Sequence, residues 1–234
     1  MIAVTDITRR RGGRTILDGV TFRAHPGRVT GFVGPNGAGK TSTLRILLGL
    51  DRGHTGSAEV CGRPYRSLSR PLTVVGASLG GSGSHPARRA VDQLRWVAAS
   101  NAIPRGRVRE VLAEVGLQDA ARRRVGTFSL GMAQRLGIAT ALLGEPEVLV
   151  LDEPINGLDP EGIRWIRTLL RRHASRGGTV LLSSHVMTEL AEVADDVVVI
   201  AGGRIRAAGT MAEVTAGHAS LEDAYFALTS ENPR

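Results

Sequence analysis

The chain has 234 residues, enough for one large α/β domain with an inserted subdomain but too few for two independent domains to be expected. Its formal charge of +8 is attributed to arginines scattered over solvated faces, because the clusters at 9–11 and 122–124 are short, and acidic lipid headgroups are the alternative partner. With only two Trp, two Tyr and four Phe, no platform for stacking nucleic acid bases is indicated, so no nucleic acid partner is expected. No apolar run approaches the ~18 residues of a membrane span. The start lacks a secretory signal pattern, and Cys61, the sole cysteine, is predicted to be a small apolar strand residue. These features favour a cytoplasmic location.

The first part of the chain, to about residue 78, predicts short strands and turns around a single helix. Val29–Val33 has the apolar pattern of a short buried strand, and residues 41–50 have the spacing of a helix with one apolar face. Between them lies GPNGAGKT at residues 34–41, which satisfies the full GxxxxGK[ST] pattern. A further strand is predicted at residues 72–78.

The pattern at residues 34–41 predicts a phosphate-binding loop. Lys40 is the only lysine among the 30 basic residues of the chain, which indicates that this position needs a compact ammonium rather than a guanidinium. In such a loop the glycine amides surround the phosphates, Lys40 reaches the β and γ oxygens, and Thr41 offers its hydroxyl to magnesium. The alternative is a glycine-rich turn that matches by chance. The strand before the loop and the helix after it favour the phosphate loop.

Between about residues 79 and 146 the pattern becomes helical, with helices predicted at 87–99, 107–115 and 130–144. GGSGS at 80–84 is predicted to be a flexible loop. FSLGMAQR at 128–135 opens the third helix, with Ser129 placed as its cap and Gly131 keeping the backbone accessible. Such a helix end is suited to a second anion.

Strands are predicted again at 148–151, 179–182 and 197–200, with helical segments between them, which implies parallel strands covered on both faces. VLVLDEP at 148–154 ends its strand on Asp152 and Glu153, at the edge where open parallel sheets place their ligands. Asp152 is suited to holding magnesium and Glu153 to polarising an attacking water, although an acid here can also cap the next helix. A last helix is predicted at 221–228.

Two further segments follow. INGLDP at 155–160 places Asp159 as the cap and Pro160 as the first residue of a helix, and capping alone explains both residues. LLSSH at 181–185 ends a buried strand on His185, where an imidazole can either touch a γ-phosphate or serve a structural role.

In this order and spacing, GPNGAGKTS, FSLGMAQR, VLVLDEP, NGLDP and SSH resemble the ATP-binding cassette ATPases over nearly the whole chain. PEGIRWIRTLLR and SLEDAYFALT look most like the daunorubicin-type and bacitracin-type exporter subunits, whose membrane part is a separate polypeptide. The resemblance implies an α/β P-loop NTPase fold. Residues 1–78 and 147–234 would form a RecA-like core with a mainly parallel sheet and an N-terminal antiparallel part, and 79–146 an inserted α-helical subdomain carrying the signature motif.

The resemblance also implies an ATPase that drives export of a drug, antibiotic or other hydrophobic compound, with ATP and Mg²⁺ as cofactors. Glu153 would activate the water, His185 would contact the γ-phosphate, and Asp152 with Thr41 would hold the magnesium. ATP would be bound by Gly34, Pro35, Asn36, Gly37, Ala38, Gly39, Lys40, Thr41 and Ser42. In a head-to-tail dimer, Ser129 and Gly131 would reach the ATP of the other subunit, and Asp159 would connect the two sites.

The expected partners are an ABC-type membrane permease and a second cassette, identical or different. The protein would be peripheral on the inner face of the membrane, with the permease contacting a surface near residues 79–100. Three positions depart from the family pattern: Gly80 replaces a glutamine, Arg11 replaces the aromatic residue usually found at the adenine, and FSLGM replaces LSGGQ. Arg11 would bind ATP by stacking its guanidinium on the base, and the alternative is a solvated arginine. Two alternatives are an ATPase acting on ribosomes or nucleic acid and an ATP-dependent clamp with little hydrolysis.

Overall fold

The computed structural model describes residues 1–80 and 83–230, which form two compact units. The first unit contains Met1–Leu68 and the segment from Leu170 onward, and the second contains Ser69–Leu169. Residues 81 and 82 of the predicted GGSGS loop lie outside the described residues.

Strands and helices follow each other along most of the described chain. In chain order the strands are β1 (Ile2–Arg11), β2 (Arg14–Ala24), β3 (Val29–Val33), β4 (His54–Val60), β5 (Val75–Leu79), β6 (Val148–Asp152), β7 (Thr179–Ser184), β8 (Asp196–Ala201) and β9 (Arg204–Thr210). The α-helices are α1 (Lys40–Leu47), α2 (Pro71–Val74), α3 (Ala90–Ser100), α4 (Gly106–Glu114), α5 (Leu130–Leu142), α6 (Pro160–Ser175), α7 (Met187–Ala191), α8 (Met211–Val214) and α9 (Leu221–Ser230). The division between the two units falls inside α6.

The first unit is built on two sheets. An antiparallel sheet has the order β2-β1-β4, and a second sheet has the order β7-β3-β8-β9 in this unit. In the second sheet β3 pairs in parallel with β7 and β8, whereas β9 is antiparallel to β8. All five residues of β3 are buried, as its apolar run predicts for a central strand. Phe22 of β2 and Phe32 of β3 bring their ring centroids within 5.1 Å of each other in the core.

The helix α1 begins one residue earlier and ends three residues earlier than predicted. Gly39, with φ of 111°, turns the chain into the helix, and Gly49, with φ of 64°, turns it out again. The apolar face of α1, which includes Leu44 and Leu47, is buried. The phosphate-loop candidate therefore leads directly from a buried strand into the N-terminus of a packed helix.

In the second unit β5 and β6 form a parallel pair, from Val75 opposite Val148 to Leu79 opposite Asp152. The glycine in β5, Gly76, has no room for a Cβ because the carbonyl of Ala141 in α5 lies against it. The strand predicted at 72–78 begins only at Val75, so the prediction was wrong for residues 72–74. Pro71 occupies the first turn of the short helix α2, where a proline is favoured, and this turn replaces the expected strand start.

The three helices predicted between 87 and 144 are present as α3, α4 and α5, with ends displaced by up to three residues. Each buries the apolar face that its spacing predicts, with Leu94, Val111 and Leu136 fully enclosed. Among the helices of the described residues, none combines the length and apolarity needed to cross a bilayer.

One expectation for the first unit was wrong, and one of its strands was not predicted. Cys61 is exposed in a tight turn after β4, with φ of 50°, because Val60 and Arg63 hydrogen-bond across it and leave no strand at this position. The strand β9 was not predicted, since its Ala- and Gly-rich, half-exposed sequence has no alternating apolar pattern. The predicted fold class, α/β with parallel strands and an N-terminal antiparallel sheet, is confirmed.

Candidate active site

The loop between β3 and α1 contains all nine residues predicted to bind nucleotide, from Gly34 to Ser42. Lys40 is 7% exposed, and its Nζ donates hydrogen bonds to the carbonyl oxygens of Gly34 (2.5 Å) and Pro35 (3.4 Å). Gly37 has a φ of 82°, and a Cβ built there meets no atom within 4 Å, so open space lies over the loop at that position. The backbone of the loop therefore surrounds the ammonium group of Lys40.

The loop suits a polyphosphate anion. The first turn of α1 carries no acidic residue. The positive charge of the Lys40 ammonium and of the helix N-terminus is therefore not neutralised by a carboxylate in that turn, and it is available to an anion. Gly34 cannot carry a side chain because the carbonyl of Ile200 lies against the position of its Cβ, which keeps the backbone of the loop compact. Thr41, exposed at the start of the helix, offers a hydroxyl suited to Mg²⁺. The residues present fit a nucleotide phosphate and its metal.

In the second unit the acidic pair lies at the end of the buried strand β6. Asp152 is 8% exposed and ends the strand, and Glu153 follows it with φ of 52°, a left-handed conformation that glutamate rarely adopts. The carbonyl of Glu153 accepts a hydrogen bond of 3.2 Å from Gln134 Nε2 of α5. The left-handed backbone at Glu153 thus ends the extended strand at Asp152. The sequence interpretation missed Gln134, although it belongs to FSLGMAQR.

The caps predicted for two helices are present. Ser129 Oγ accepts a hydrogen bond from the amide of Met132 at the start of α5 (3.2 Å). Asp159 Oδ1 accepts one from the amide of Gly162 (2.8 Å), and Pro160 is the first residue of α6. These contacts confirm the capping geometry.

Gly131 lies against the NGLD turn. A Cβ built on Gly131 would be 2.8 Å from the carbonyl oxygen of Gly157, and Gly157 in turn has its Cβ position filled by the Leu130 side chain. FSLGMAQR at 128–135, here called the signature segment, therefore lies against the backbone of the NGLD turn at 156–159.

A contact between FSLGMAQR and the helix α6 was not predicted either. Arg135, the last residue of FSLGMAQR, lies over the ring of Trp165 in α6, and its Nη1 donates to the carbonyl of Val115 at 3.0 Å. Trp165 Nε1 donates to the neighbouring carbonyl of Glu114 at 3.0 Å. One arginine and one tryptophan thus cap the end of α4 and join it to α5 and α6.

The remaining predicted positions are at strand ends. His185 is exposed directly after β7, and Arg11 is exposed at the end of β1, both in the first unit. Gly80 follows β5 in the second unit with φ of 77°, and a Cβ there would meet nothing within 4 Å. A glutamine at Gly80 would have room for its side chain but would need a strained backbone.

The glycine-rich loop encloses the Lys40 side chain and connects a central parallel strand to a helix. This arrangement defines a P-loop nucleotide-binding protein. The sequence profile of the ABC transporter family matches residues 17–156. The chain is 36% identical over 208 residues to the ABC transporter ATP-binding protein YhcH of Bacillus subtilis, covering 88% of this chain and 68% of that protein. It therefore belongs to the ABC transporter family and is an ATP-binding subunit with ATPase activity.

Two relatives carry functional names. The bacitracin transport ATP-binding protein BcrA of Bacillus licheniformis is 39% identical over 208 residues, covering 88% of this chain and 68% of that protein. The lantibiotic transport ATP-binding protein SrtF of Streptococcus pyogenes is 36% identical over 205 residues, covering 88% of this chain and 89% of that protein.

Two solved structures are similar. An ATP-binding subunit of an ABC transporter has a TM-score of 0.88 at 25% identity, covering 97% of this chain and 99% of that one. A dimeric ATP-binding cassette in a post-hydrolysis state with ADP and Pi has a TM-score of 0.80 at 20% identity, covering 90% and 98%, which supports the fold.

Proposed function

We propose that the chain is the motor subunit of an exporter, and that it hydrolyses ATP to drive a separate membrane permease that carries an antibiotic, a drug or another hydrophobic compound. The observation that carries the proposal is the loop from Gly34 to Ser42 with the Lys40 ammonium enclosed in it. The names of the bacitracin and lantibiotic transport relatives support the class of transported compound.

Each of the site residues acts on a different part of the bound ATP. Lys40 neutralises charge on the β and γ oxygens, and the loop amides bind the remaining phosphate oxygens. Thr41 and Asp152 would hold Mg²⁺, which neutralises the charge that develops during phosphoryl transfer. Glu153 accepts the proton of the attacking water, and His185 contacts the γ-phosphate. The Arg11 guanidinium would stack on the base.

We assign the helical segment 79–146 to a subdomain that contacts the permease, with residues 1–78 and 147–234 as the ATP-binding core. Trp96 of α3 supports this assignment, because this large apolar residue is 58% exposed within the proposed contact region near residues 79–100. The guanidinium carbon of Arg88 lies over its ring, 5.1 Å from the ring centroid. The protein would then be peripheral on the inner face of the membrane.

The signature segment is proposed to pair with a second cassette, identical or different. Ser129 and Gly131 would reach the ATP of the partner subunit, and Asp159 would connect the two sites. Leu130 supports this pairing, since it lies between those two residues and is 65% exposed, an arrangement that favours burial in an interface.

The experiment compares the wild-type chain with Glu153→Gln in magnesium and ATP, recording phosphate release and the monomer–dimer balance in the same samples. We expect turnover in the wild type and a decrease of about 10²–10⁴-fold in the variant, as is usual for loss of a general base, with ATP-loaded dimers accumulating. Glu222→Gln, in the exposed first turn of α9, is the matched control and should match the wild type.

Undiminished turnover in Glu153→Gln would remove Glu153 from its proposed role. Dimerisation without phosphate release in the wild type, persisting with the permease present, would replace the motor with an ATP-dependent clamp.

A further inference from the structure

The surface at the start of α3 carries two arginines that face each other. Arg89, the residue before the helix, lies directly opposite Arg124 in an isolated antiparallel bridge. Both side chains are exposed, and residues opposite each other in this way have their Cβ atoms about 5 Å apart. Like charges at this distance destabilise the pairing. The pair therefore favours a negatively charged partner.

Backbone hydrogen bonds fix the two segments against each other. The amide of Ala90 donates to the carbonyl of Arg123 (3.1 Å), and the amide of Val125 donates to the carbonyl of Arg88 (2.9 Å). A third exposed arginine precedes Arg123 in the same segment. We call the three exposed residues the arginine cluster, which consists of Arg89, Arg122 and Arg124.

The acidic residues of this region do not neutralise the cluster. Residues 83–127 contain nine arginines and four acidic residues, a net charge of +5 out of the +8 of the whole chain. Three of the four acids pair with arginines outside the cluster: Asp92 with Arg95 (3.3 Å), and Glu110 and Glu114 with Arg107 (3.2 Å and 3.4 Å). The fourth acid, Asp119, is exposed. In the part of the chain that the structure describes, the three guanidinium groups of the cluster have no hydrogen-bond or ion-pair partner.

Two neighbouring arginines add to the positive charge. Arg88 Nη1 donates to Gln93 Oε1 at 2.7 Å, and Arg123 Nη2 donates to the carbonyl of Thr127 at 2.8 Å. Both acceptors are neutral, so these contacts hold the side chains in place without cancelling their charge. Together with the cluster, five arginines therefore contribute to one positive surface.

An exposed indole adjoins this surface. Trp96 lies under the Arg88 guanidinium, and Arg88 directly precedes Arg89 of the cluster. A tryptophan beside several basic residues is typical of protein surfaces that lie at the boundary between membrane and water. There the indole reaches the headgroup level, and the guanidinium groups bind lipid phosphates.

A bilayer fits this arrangement better than an acidic protein segment does. The arginines of the cluster are exposed, and no side-chain contact fixes their guanidinium groups relative to one another in the described residues. Anionic lipids present many phosphates in one plane, so they can neutralise several such groups at once. A protein segment has to match the positions of its carboxylates to theirs.

We propose that the arginine cluster binds anionic lipid headgroups, with Trp96 at its border, and thereby holds the helical segment against the membrane surface. The inference rests on the proposed function, in which the chain is a peripheral subunit that contacts a permease near residues 79–100. Arg89 lies within that contact region, and a permease is surrounded by headgroups. The lipid contact is therefore next to the permease contact and orients the subunit for it.

The experiment measures sedimentation of the full chain with vesicles in the absence of a permease. One set contains about 30% phosphatidylglycerol in phosphatidylcholine and the other phosphatidylcholine alone, each at about 50 mM and about 300 mM salt. The cluster variant combines Arg89→Gln, Arg122→Gln and Arg124→Gln. The control variant removes the same charge from exposed arginines of the first unit and combines Arg52→Gln, Arg63→Gln and Arg176→Gln.

We expect the wild type to bind the anionic vesicles at least about tenfold more tightly than the neutral ones, and to bind more weakly at the higher salt concentration. The cluster variant should bind about 100-fold more weakly, since each arginine near an anionic surface contributes about fivefold. The control variant should stay within about threefold of the wild type. ATP hydrolysis without vesicles should be unchanged in both variants, which shows that they are folded.

A fluorescence measurement locates the contact. In a Trp165→Phe chain, Trp96 is the only tryptophan, so its emission reports whether α3 meets the bilayer. We expect its emission to shift to shorter wavelength with anionic vesicles and to stay unchanged when the cluster substitutions are added.

Equal binding to neutral vesicles, or equal losses in the cluster and control variants, would overturn the inference. Binding without a shift in Trp96 emission would also overturn it, because another surface would then meet the bilayer. Tighter binding to soluble polyglutamate than to the vesicles would assign the cluster to an acidic protein segment instead. ATP hydrolysis by a chain that binds no vesicles would overturn this inference alone, and vesicle binding by a chain that never hydrolyses ATP would overturn only the proposed motor.

Discussion

Arg135 of α5 stacks on Trp165 of α6, with its guanidinium carbon 4.6 Å from the ring centroid. The two side chains donate to the adjacent carbonyls of Val115 and Glu114 at the end of α4, so a single stacked pair ties together three helices of the second unit. The contact joins the signature helix to the helix that follows Asp159. We expect it to set the stability of this region.

Shortening Trp165 in two steps separates its hydrogen bond from its stacking. Trp165→Phe keeps a ring under Arg135 but loses the Nε1 donor, and should lower the free energy of unfolding by about 1 kcal/mol. Trp165→Leu loses the ring as well and should cost about 2 kcal/mol or more. Urea unfolding measures both values. Trp96→Phe, at the exposed tryptophan of α3, is the control and should change stability by less than about 0.5 kcal/mol.

The sequence predicted the strands and helices with continuous or strongly periodic apolar patterns, because burial on one or both faces determines them. Val29–Val33 and Val148–Asp152 are examples, and the loop from Gly34 to Ser42 was found because its pattern is local. The helical turn at Pro71, the exposed Cys61 and the strand β9 were missed. Each depends on a turn or on pairing with a distant strand rather than on a periodic pattern.

For the candidate site, too, only the roles that depend on local sequence could be predicted. Motif residues such as Ser129 and Asp159 have local capping roles, and those roles could be predicted from position alone. Gln134, Arg135 and Trp165 act through partners 19 to 51 residues away, such as Glu153 and Glu114. Nothing in the sequence spacing indicates those partners.

Gly131 is predicted to be intolerant of a side chain. In Gly131→Ala the new Cβ would lie 2.8 Å from the carbonyl oxygen of Gly157, a backbone atom that cannot rotate away. The NGLD turn must then shift relative to α5. Because misplacement of about 1 Å can cost up to 10²-fold in rate, we expect hydrolysis to fall by about 10- to 100-fold. ATP binding to the loop around Lys40 should be unchanged. Steady-state phosphate release and nucleotide titration measure the two effects.

Gly106→Ala is the control for this change. Gly106 is the first residue of α4, and a Cβ there meets no atom within 4 Å. Alanine at this position should leave hydrolysis unchanged and raise stability by up to about 1 kcal/mol. An equal loss of activity in both variants would contradict the importance of the contact between Gly131 and Gly157.

Thr30 in the central strand β3 is predicted to lower the stability of the fold. It is fully buried, and its Oγ1 finds no hydrogen-bond partner in the part of the chain that the structure describes. Thr30→Val keeps the shape and removes the unpaired hydroxyl, so the free energy of unfolding should rise by about 1–2 kcal/mol. Thr43→Val is the matched control. Its hydroxyl is also buried but donates to the carbonyl of Gly39 at 2.9 Å, so the same change there should lower the free energy of unfolding. Urea unfolding measures both variants. Stabilisation of both variants, or of neither, would refute the explanation.

Asp51 is predicted to make stability depend on pH. Its carboxylate accepts hydrogen bonds from Arg45 (3.1 Å) and Arg9 (2.5 Å), and its side chain is 16% exposed. The hydrogen bond from Arg45, reinforced by Arg9, holds the pKa of Asp51 below its ordinary value, against the opposing effect of burial. Because the folded-state pKa is lowered, this contribution is fully present above about pH 4 and is lost as the pH falls through the folded-state pKa.

Asp51→Asn should therefore lower the free energy of unfolding at pH 7 by about 1–2 kcal/mol, the range for a partly exposed bond to a charged group. The loss should shrink as the pH is lowered below about 4, because the wild type then gives up the same contribution. Urea unfolding from pH 7 to pH 3 measures the difference. Asp119→Asn, at an exposed carboxylate, is the control and should leave the free energy of unfolding at pH 7 within about 0.5 kcal/mol of the wild type. A difference between wild type and Asp51→Asn that stays constant with pH would show that the Arg45 and Arg9 contacts act by shape rather than by charge.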